Sequence, residues 1–146
     1  MKIDKFEGQF AFLSNYYDSP IIYDGLIYPT VEHAFQAAKT MVLEQRRLIS
    51  EMKTPDEAKR AGRKVTLRYD WENVKDSVME QCIYMKFIMH PNLAEKLLAT
   101  GDADLIEGNT WNDTYWGVCK GVGKNQLGKT LMKVRKTLKN MQKGEW

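Results

Sequence analysis

The residues best suited to chemistry lie in one run, Tyr28-Pro29-Thr30-Val31-Glu32-His33-Ala34-Phe35-Gln36-Ala37-Ala38-Lys39. Glu32, Gln36 and Lys39 are spaced four and three apart, so a helix entered through Thr30 brings all three onto one face. They offer a carboxylate, an amide and an amine, the groups of acid–base, hydrogen-bonding and nucleophilic chemistry. Taken alone, the row reads first as a surface polar stripe worth a few tenths of a kcal/mol. A second run, Gly108-Asn109-Thr110-Trp111-Asn112-Asp113-Thr114-Tyr115-Trp116-Gly117, is harder to explain as ordinary structure. Its rings could stack on a flat heterocycle while amides and a carboxylate read the edge, which suits a nucleobase-like ligand. The other reading is a loop whose Trp residues plug the core; the loop position tilts the balance toward function. Ser14-Asn15, within Phe12-Leu13-Ser14-Asn15-Tyr16-Tyr17, is either a turn or a ligand clamp.

Gly123 to Thr130 (GKNQLGKT) satisfies the phosphate-loop pattern letter for letter. The context refuses it. Such a loop follows a buried strand of a parallel α/β sheet, whereas Tyr115 to Lys120 is short and polar and only sixteen residues follow Thr130. A weaker expectation survives: Gly128 and Lys129 at a helix start form either an anion site or a simple turn.

The elements that must position these residues can be read from the pattern. Phe6 to Phe12 alternates like a strand. Ile21-Ile22-Tyr23 and Leu26-Ile27-Tyr28 flank Asp24-Gly25, the pair suited to a tight hairpin turn. Thr30 then caps a helix with Val31, Ala34, Phe35, Ala38 and Val42 at apolar positions. Thr54-Pro55-Asp56-Glu57 starts a short helix that stops at Gly62. Asp70 caps a long helix with Val74, Val78, Cys82, Met85 and Met89 as its apolar stripe, ending before Pro91. Leu93 to Ala99 is a short helix closed by Gly101, and Asp104 to Glu107 a short strand. In the last helix Leu127, Leu131, Val134, Leu138 and Met141 repeat at four and three, the strongest amphipathic signal in the chain. The sum is an α+β fold: a single helix-rich domain over 1–146 with a small sheet that includes the N-terminal β-hairpin.

At 146 residues, with 43% hydrophobic and 28% charged residues, the chain can bury a core without a disulfide or metal staple. A net charge of +3 is too mild for a dedicated DNA-binding domain. Cys82 and Cys119 form no CxxC, and neither His33 nor His90 is at ligand spacing from them, so no metal and no cofactor are expected. No run approaches a membrane span and the N-terminus lacks a signal-like apolar segment. A cytoplasmic protein with no membrane association is expected, and no obligate protein partner is evident.

Five blocks carry a resemblance: FLSNYY at 12–17, GLIYPTVEHAFQAAK at 25–39, GRKVTLRYDW at 62–71, LLATGDADLIEGNTWNDTYWG at 97–117 and GKNQLGKTLMKVR at 123–135. In that order, over nearly the whole chain, they resemble the NADAR, or YbiA-like, family. The resemblance implies an N-glycosidase. Some members hydrolyse phosphoribosylamino-pyrimidine intermediates of riboflavin synthesis, and others remove ADP-ribose from modified guanine in nucleic acid. The implied partner is thus a nucleotide-like small molecule or an ADP-ribosylated nucleic acid. Both substrates bond ribose C1′ to an exocyclic base nitrogen. Breaking that bond develops positive charge at C1′. On this reading Glu32 is the first candidate to stabilise it or activate water, Asp113 the second, and Lys39 a possible Schiff-base nucleophile, phosphate contact or ion-pair partner of Glu32. Trp111 and Trp116 would stack the heterocycle, while Asn109, Asn15, Ser14 and Gln36 would bond its edge or the ribose. Gly128 and Lys129 would lie near phosphate. Arg63, Arg68 and Trp71 fall in matching blocks without an assigned role. The rival reading is a non-catalytic module that binds nucleotide or ADP-ribose.

Overall fold

The structure, a computed structural model, describes residues 1–144. It is helix-rich α+β, with six α-helices, one 3-10 helix and three two-stranded pairs among the described residues. The chain divides into two units: Asn15–Met89, and Met1–Ser14 together with the chain from His90 onward.

The Asn15–Met89 unit begins with the hairpin. Strands β2 (Ile21–Tyr23) and β3 (Leu26–Tyr28) pair antiparallel with Ile21 opposite Tyr28. Asp24 and Gly25 take φ of 48° and 84°, the two left-handed positions of this tight turn. Ile21 and Tyr28 are buried while Ile22 and Ile27 face outward, the two-residue period of a half-buried ribbon. Helix α1 (Val31–Ala37) follows, then α2 (Leu43–Ser50), α3 (Pro55–Gly62) and α4 (Trp71–Met89). Thr30 and Thr54 cap α1 and α3, each hydroxyl accepting the N–H three residues on. Arg46 of α2 holds the hairpin turn through Asp24 (2.8 Å) and donates to the Thr40 carbonyl.

The other unit contains β1 (Lys2–Ile3) paired parallel with β4 (Asp104–Leu105), a 3-10 helix Gly8–Leu13, α5 (Pro91–Ala99), β5 (Gly108–Asn109) parallel to β6 (Val118–Cys119), and α6 (Gln126–Gln142). Leu127, Leu131, Val134 and Leu138 of α6 are buried. No helix among the described residues is long and apolar enough to cross a membrane.

Four expectations change. Phe6 to Phe12 is mostly 3-10 helix, because Gly8 turns the chain at φ 59°. The single small sheet is three separate pairs, two of them parallel: β1–β4, which joins segments far apart in sequence, and β5–β6, which is joined by a short loop. The helix expected through Val42 ends at Ala37, because the Lys39 carbonyl accepts from Arg68 N–H (2.7 Å) and the Thr40 carbonyl from Arg46 (2.7 Å). The buried face of α4 is two residues wide, Val78-Met79, Cys82-Ile83 and Lys86-Phe87, since the helix packs on both α1 and β2; Met89 lies outside it.

Candidate functional site

Helix α1 is buried along its whole length, so Glu32 and Gln36 are not a surface row. The burial is secured at the helix entry. His33 pairs through Nδ1 with the Thr30 hydroxyl (2.8 Å) and donates from Nε2 to the Met52 carbonyl (2.9 Å), which suits a neutral ring protonated at Nε2. Burial lowers its pKa, in keeping with that state. The backbone N–H of Glu32 donates to the Asn15 carbonyl (3.1 Å), which pins the loop before the hairpin against the helix start.

Within this frame Gln36 Nε2 donates to Glu32 Oε2 at 2.6 Å, a short charge-assisted bond that fixes the carboxylate. The other end of the amide, Oε1, is buried without a hydrogen-bond partner and faces Gly62. A Cβ at Gly62 would overlap that oxygen, so glycine is required for α3 to lie against α1 here. Lys39, half-buried beyond the end of α1, forms no ion pair among the described residues. That removes the ion-pair reading of Lys39 with Glu32. Burial pulls its pKa below the ordinary lysine value; Glu32 opposes the shift, while Arg63 and Lys59 add to it.

Helix α3 presents Asp56, Lys59 and Arg63 at spacings of three and four, with Gly62 between the last two. The Tyr16 hydroxyl donates to Asp56 Oδ1 (2.8 Å). Its pKa is raised by burial, by that bond, and by the charge on Glu32, with Arg63 acting in the opposite sense. Tyr16, Glu32, Lys39, Lys59 and Arg63 therefore interact electrostatically. Sequence reasoning assigned no role to Tyr16, Lys59 or Arg63; the three-and-four spacing along α3 was the available signal. Of the other matched residues, Arg68 binds Asp70 through two guanidinium nitrogens (2.6 and 3.2 Å), and Trp71 packs on Phe35 with ring centroids 5.0 Å apart. Both hold the α1–α4 packing. Asn15 is buried, with Nδ2 directed at Met79 Sδ (3.4 Å). Ser14, in the other unit, ends the 3-10 helix with its N–H on the Ala11 carbonyl.

The Trp-rich run lies in the other unit and is organised by its own polar groups. Asn109 Nδ2 donates to the Asp113 carbonyl (2.9 Å) and to Glu107 Oε2 (3.1 Å), while Oδ1 accepts from the N–H of Asp113 (3.1 Å) and Trp111 (3.3 Å). Asp113 Oδ1 in turn accepts from Tyr115 and Trp116 N–H (3.2 and 2.9 Å). The donors and acceptor of Asn109 are occupied in folding the loop. Asp113 likewise acts as the cap of a turn. Trp116 packs edge-on against Tyr115 (4.9 Å), whereas Trp111 is 60% exposed.

The start of α6 is a hydrogen-bonded turn. The N–H groups of Lys124, Asn125, Gln126 and Leu127 donate to the carbonyls of Thr114, Gly117, Tyr115 and Trp116. Four donors of this turn are thus engaged by the chain itself. Gly128 instead allows close approach to Leu105, where a Cβ would overlap the carbonyl oxygen, and Lys129 is exposed. Among the described residues no group of three or more His, Cys, Asp and Glu is placed to hold a metal ion.

Comparison with known proteins agrees with the sequence blocks. Residues 4–139 match the NADAR domain model. The chain is 44% identical to N-glycosidase YbiA of Escherichia coli strain K12, over 86% of this chain and 79% of that protein. It is 39% identical to an N-glycosidase of Nostoc punctiforme, over 88% and 85%. A riboflavin biosynthesis protein of Vibrio vulnificus is 34% identical over 88% of this chain, which spans 35% of that longer protein. The NMR structure of Escherichia coli YbiA superimposes with a TM-score of 0.85 and 38% identity, covering 100% of this chain and 90% of that one.

Proposed function

The chain belongs to the NADAR family, whose relatives described above include named N-glycosidases, and from that premise we propose that it hydrolyses the bond between ribose C1′ and an exocyclic nitrogen of a base. The observation that carries the proposal is the Glu32–Gln36 pair: a buried carboxylate locked at 2.6 Å, with a depressed lysine within its electrostatic reach. A carboxylate held rigidly in a dry setting stabilises a cationic C1′ without reorganising during the reaction. The preferred route uses Lys39. Once the aminoribose opens to its imine, the Lys39 amine adds to C1′, the C1′–N(base) bond breaks, and the base leaves as a free amine. Water then adds to the lysine imine at C1′ and expels Lys39, giving ribose 5-phosphate from the pyrimidine compound or ADP-ribose from the guanine compound. Glu32 carries the protons between the attacking and departing nitrogens. Burial keeps a larger share of the Lys39 amine neutral than in an exposed lysine, and the neutral amine is the nucleophile.

Two substrates carry this bond, the phosphoribosylamino-pyrimidine and ADP-ribosylated guanine. The name of the Vibrio relative supports the first. In the other unit Trp111 offers an exposed ring, and Asn109 and Asp113 hold the loop that carries it. Incubation of the purified protein with each substrate, with free base measured by chromatography, tests the reading. Release from the pyrimidine compound is expected. Release from the guanine compound alone would move the assignment to de-ADP-ribosylation, and micromolar binding without turnover of either would support a non-catalytic binding module.

A further inference from the structure

We infer that Lys59 and Arg63 of α3, together with Lys39, form an anion subsite that takes the 5′-phosphate of the ribosyl substrate. The inference rests on the N-glycosidase reading for the identity of the ligand, and on the helix geometry for the site. Lys59 and Arg63 are four residues apart on α3 and so share a face. Gly62, three residues after Lys59 and next to Arg63, sets that part of α3 against α1: a Cβ there would meet Gln36 Oε1, whose amide holds Glu32, and Lys39 follows the end of the same helix.

None of the three cations is paired. Lys39, Lys59 and Arg63 have no ion pair or side-chain hydrogen bond among the described residues. The nearby carboxylates are engaged elsewhere, Asp56 by the Tyr16 hydroxyl and Glu32 by Gln36. Like charges four residues apart repel on a helix, and burial of Lys39 beside them adds to the penalty. An incoming phosphate, with a charge of about −1.5 to −2 and three acceptor oxygens, relieves that repulsion. Arg63 supplies the forked donor pair and Lys59 and Lys39 point charges. The same groups then surround a carboxylate suited to the cationic C1′, so one face serves both ends of a ribose 5-phosphate.

Isothermal titration of the full chain with ribose 5-phosphate and with ribose tests the subsite without requiring turnover. Ribose 5-phosphate is expected to bind at least tenfold more tightly than ribose. Arg63→Ala should weaken it about ten- to a hundredfold, the range for losing a charge-assisted hydrogen-bonding partner. Arg60→Ala removes the same charge from a position on α3 that, unlike Arg63, does not act on Lys39 or Tyr16, and should stay within about twofold of the parent. Equal weakening by both variants, or no preference for ribose 5-phosphate over ribose, overturns the subsite. A protein that binds ribose 5-phosphate through Arg63 yet cleaves no N-ribosyl amine keeps the subsite and loses the glycosidase reading. One that cleaves with no phosphate preference does the reverse.

Discussion

The α1–α3 face and the Trp-rich loop carry similar polar inventories but use them in opposite ways. In the loop, Asn109 and Asp113 direct their hydrogen bonds inward, to backbone groups between Glu107 and Trp116. On the helix face, Gln36 Oε1 is buried without a partner, and Lys39 feels the charges of Glu32, Arg63 and Lys59 while forming no ion pair among the described residues. A buried polar group without a partner costs about 1–3 kcal/mol, so a fold that keeps one has a use for it. The loop's polar residues build structure; the helix face holds capacity in reserve for a ligand. Residue type alone would have ranked the two segments equally, or placed the loop first.

The largest effect expected from this contrast is at Lys39. Borohydride reduction during turnover should trap a covalent sugar adduct on the parent protein, seen as a mass increase. Lys39→Ala should abolish it and lower kcat by about a hundredfold or more, the scale of losing a positioned catalytic group. An adduct that persists in the variant removes Lys39 as nucleophile. Next is Gly62→Ala. The added methyl overlaps Gln36 Oε1, so overpacking of about 1–3 kcal/mol is expected by thermal melting, together with lower kcat as the Glu32–Gln36 bond is displaced. Unchanged activity would mean that the lock on Glu32 is unimportant.

The smallest effect sharpens the comparison by separating a shifted lysine from a catalytic one. Lys86 on α4 is fully buried beside the rings of Tyr17 and Phe87, and burial lowers its pKa to about 7. Between pH 7 and 10.5 the unfolded chain holds this proton while the folded chain releases it. Stability therefore rises with pH across that window, by at most ~1.4 kcal/mol per pH unit. Lys86→Met should flatten this slope in urea melts and leave turnover unchanged. A loss of turnover would extend the active groups to α4.

Much of the scaffold was legible in local chemistry. Asp24-Gly25 between two β-rich triplets, the Thr30 and Thr54 caps, and the four-and-three repeat of α6 are all set by short-range rules. What escaped was decided by distant partners. The break after Ala37 depends on Arg68 and Arg46 capturing carbonyls, and the parallel pairing of Lys2–Ile3 with Asp104–Leu105 spans most of the chain. The row of Glu32, Gln36 and Lys39 was visible as spacing, but its burial was not, because that follows from His33, Asn15 and Gly62. Arg63 and Lys59 were passed over because nothing in a helix pattern shows which face meets a neighbour.

Glu32→Gln and Asp113→Asn, each measured for kcat and melting temperature in the same preparations, test the contrast between the two regions most directly. Glu32→Gln should lose at least about a hundredfold in kcat and keep a melting temperature near the parent's, since Gln36 can still donate to the new amide oxygen. Asp113→Asn should lower the melting temperature, as a charge-assisted turn cap is weakened, and retain most of the turnover per folded molecule. A stable Asp113→Asn protein without activity, beside an active Glu32→Gln protein, would contradict the account and move the chemistry to the loop.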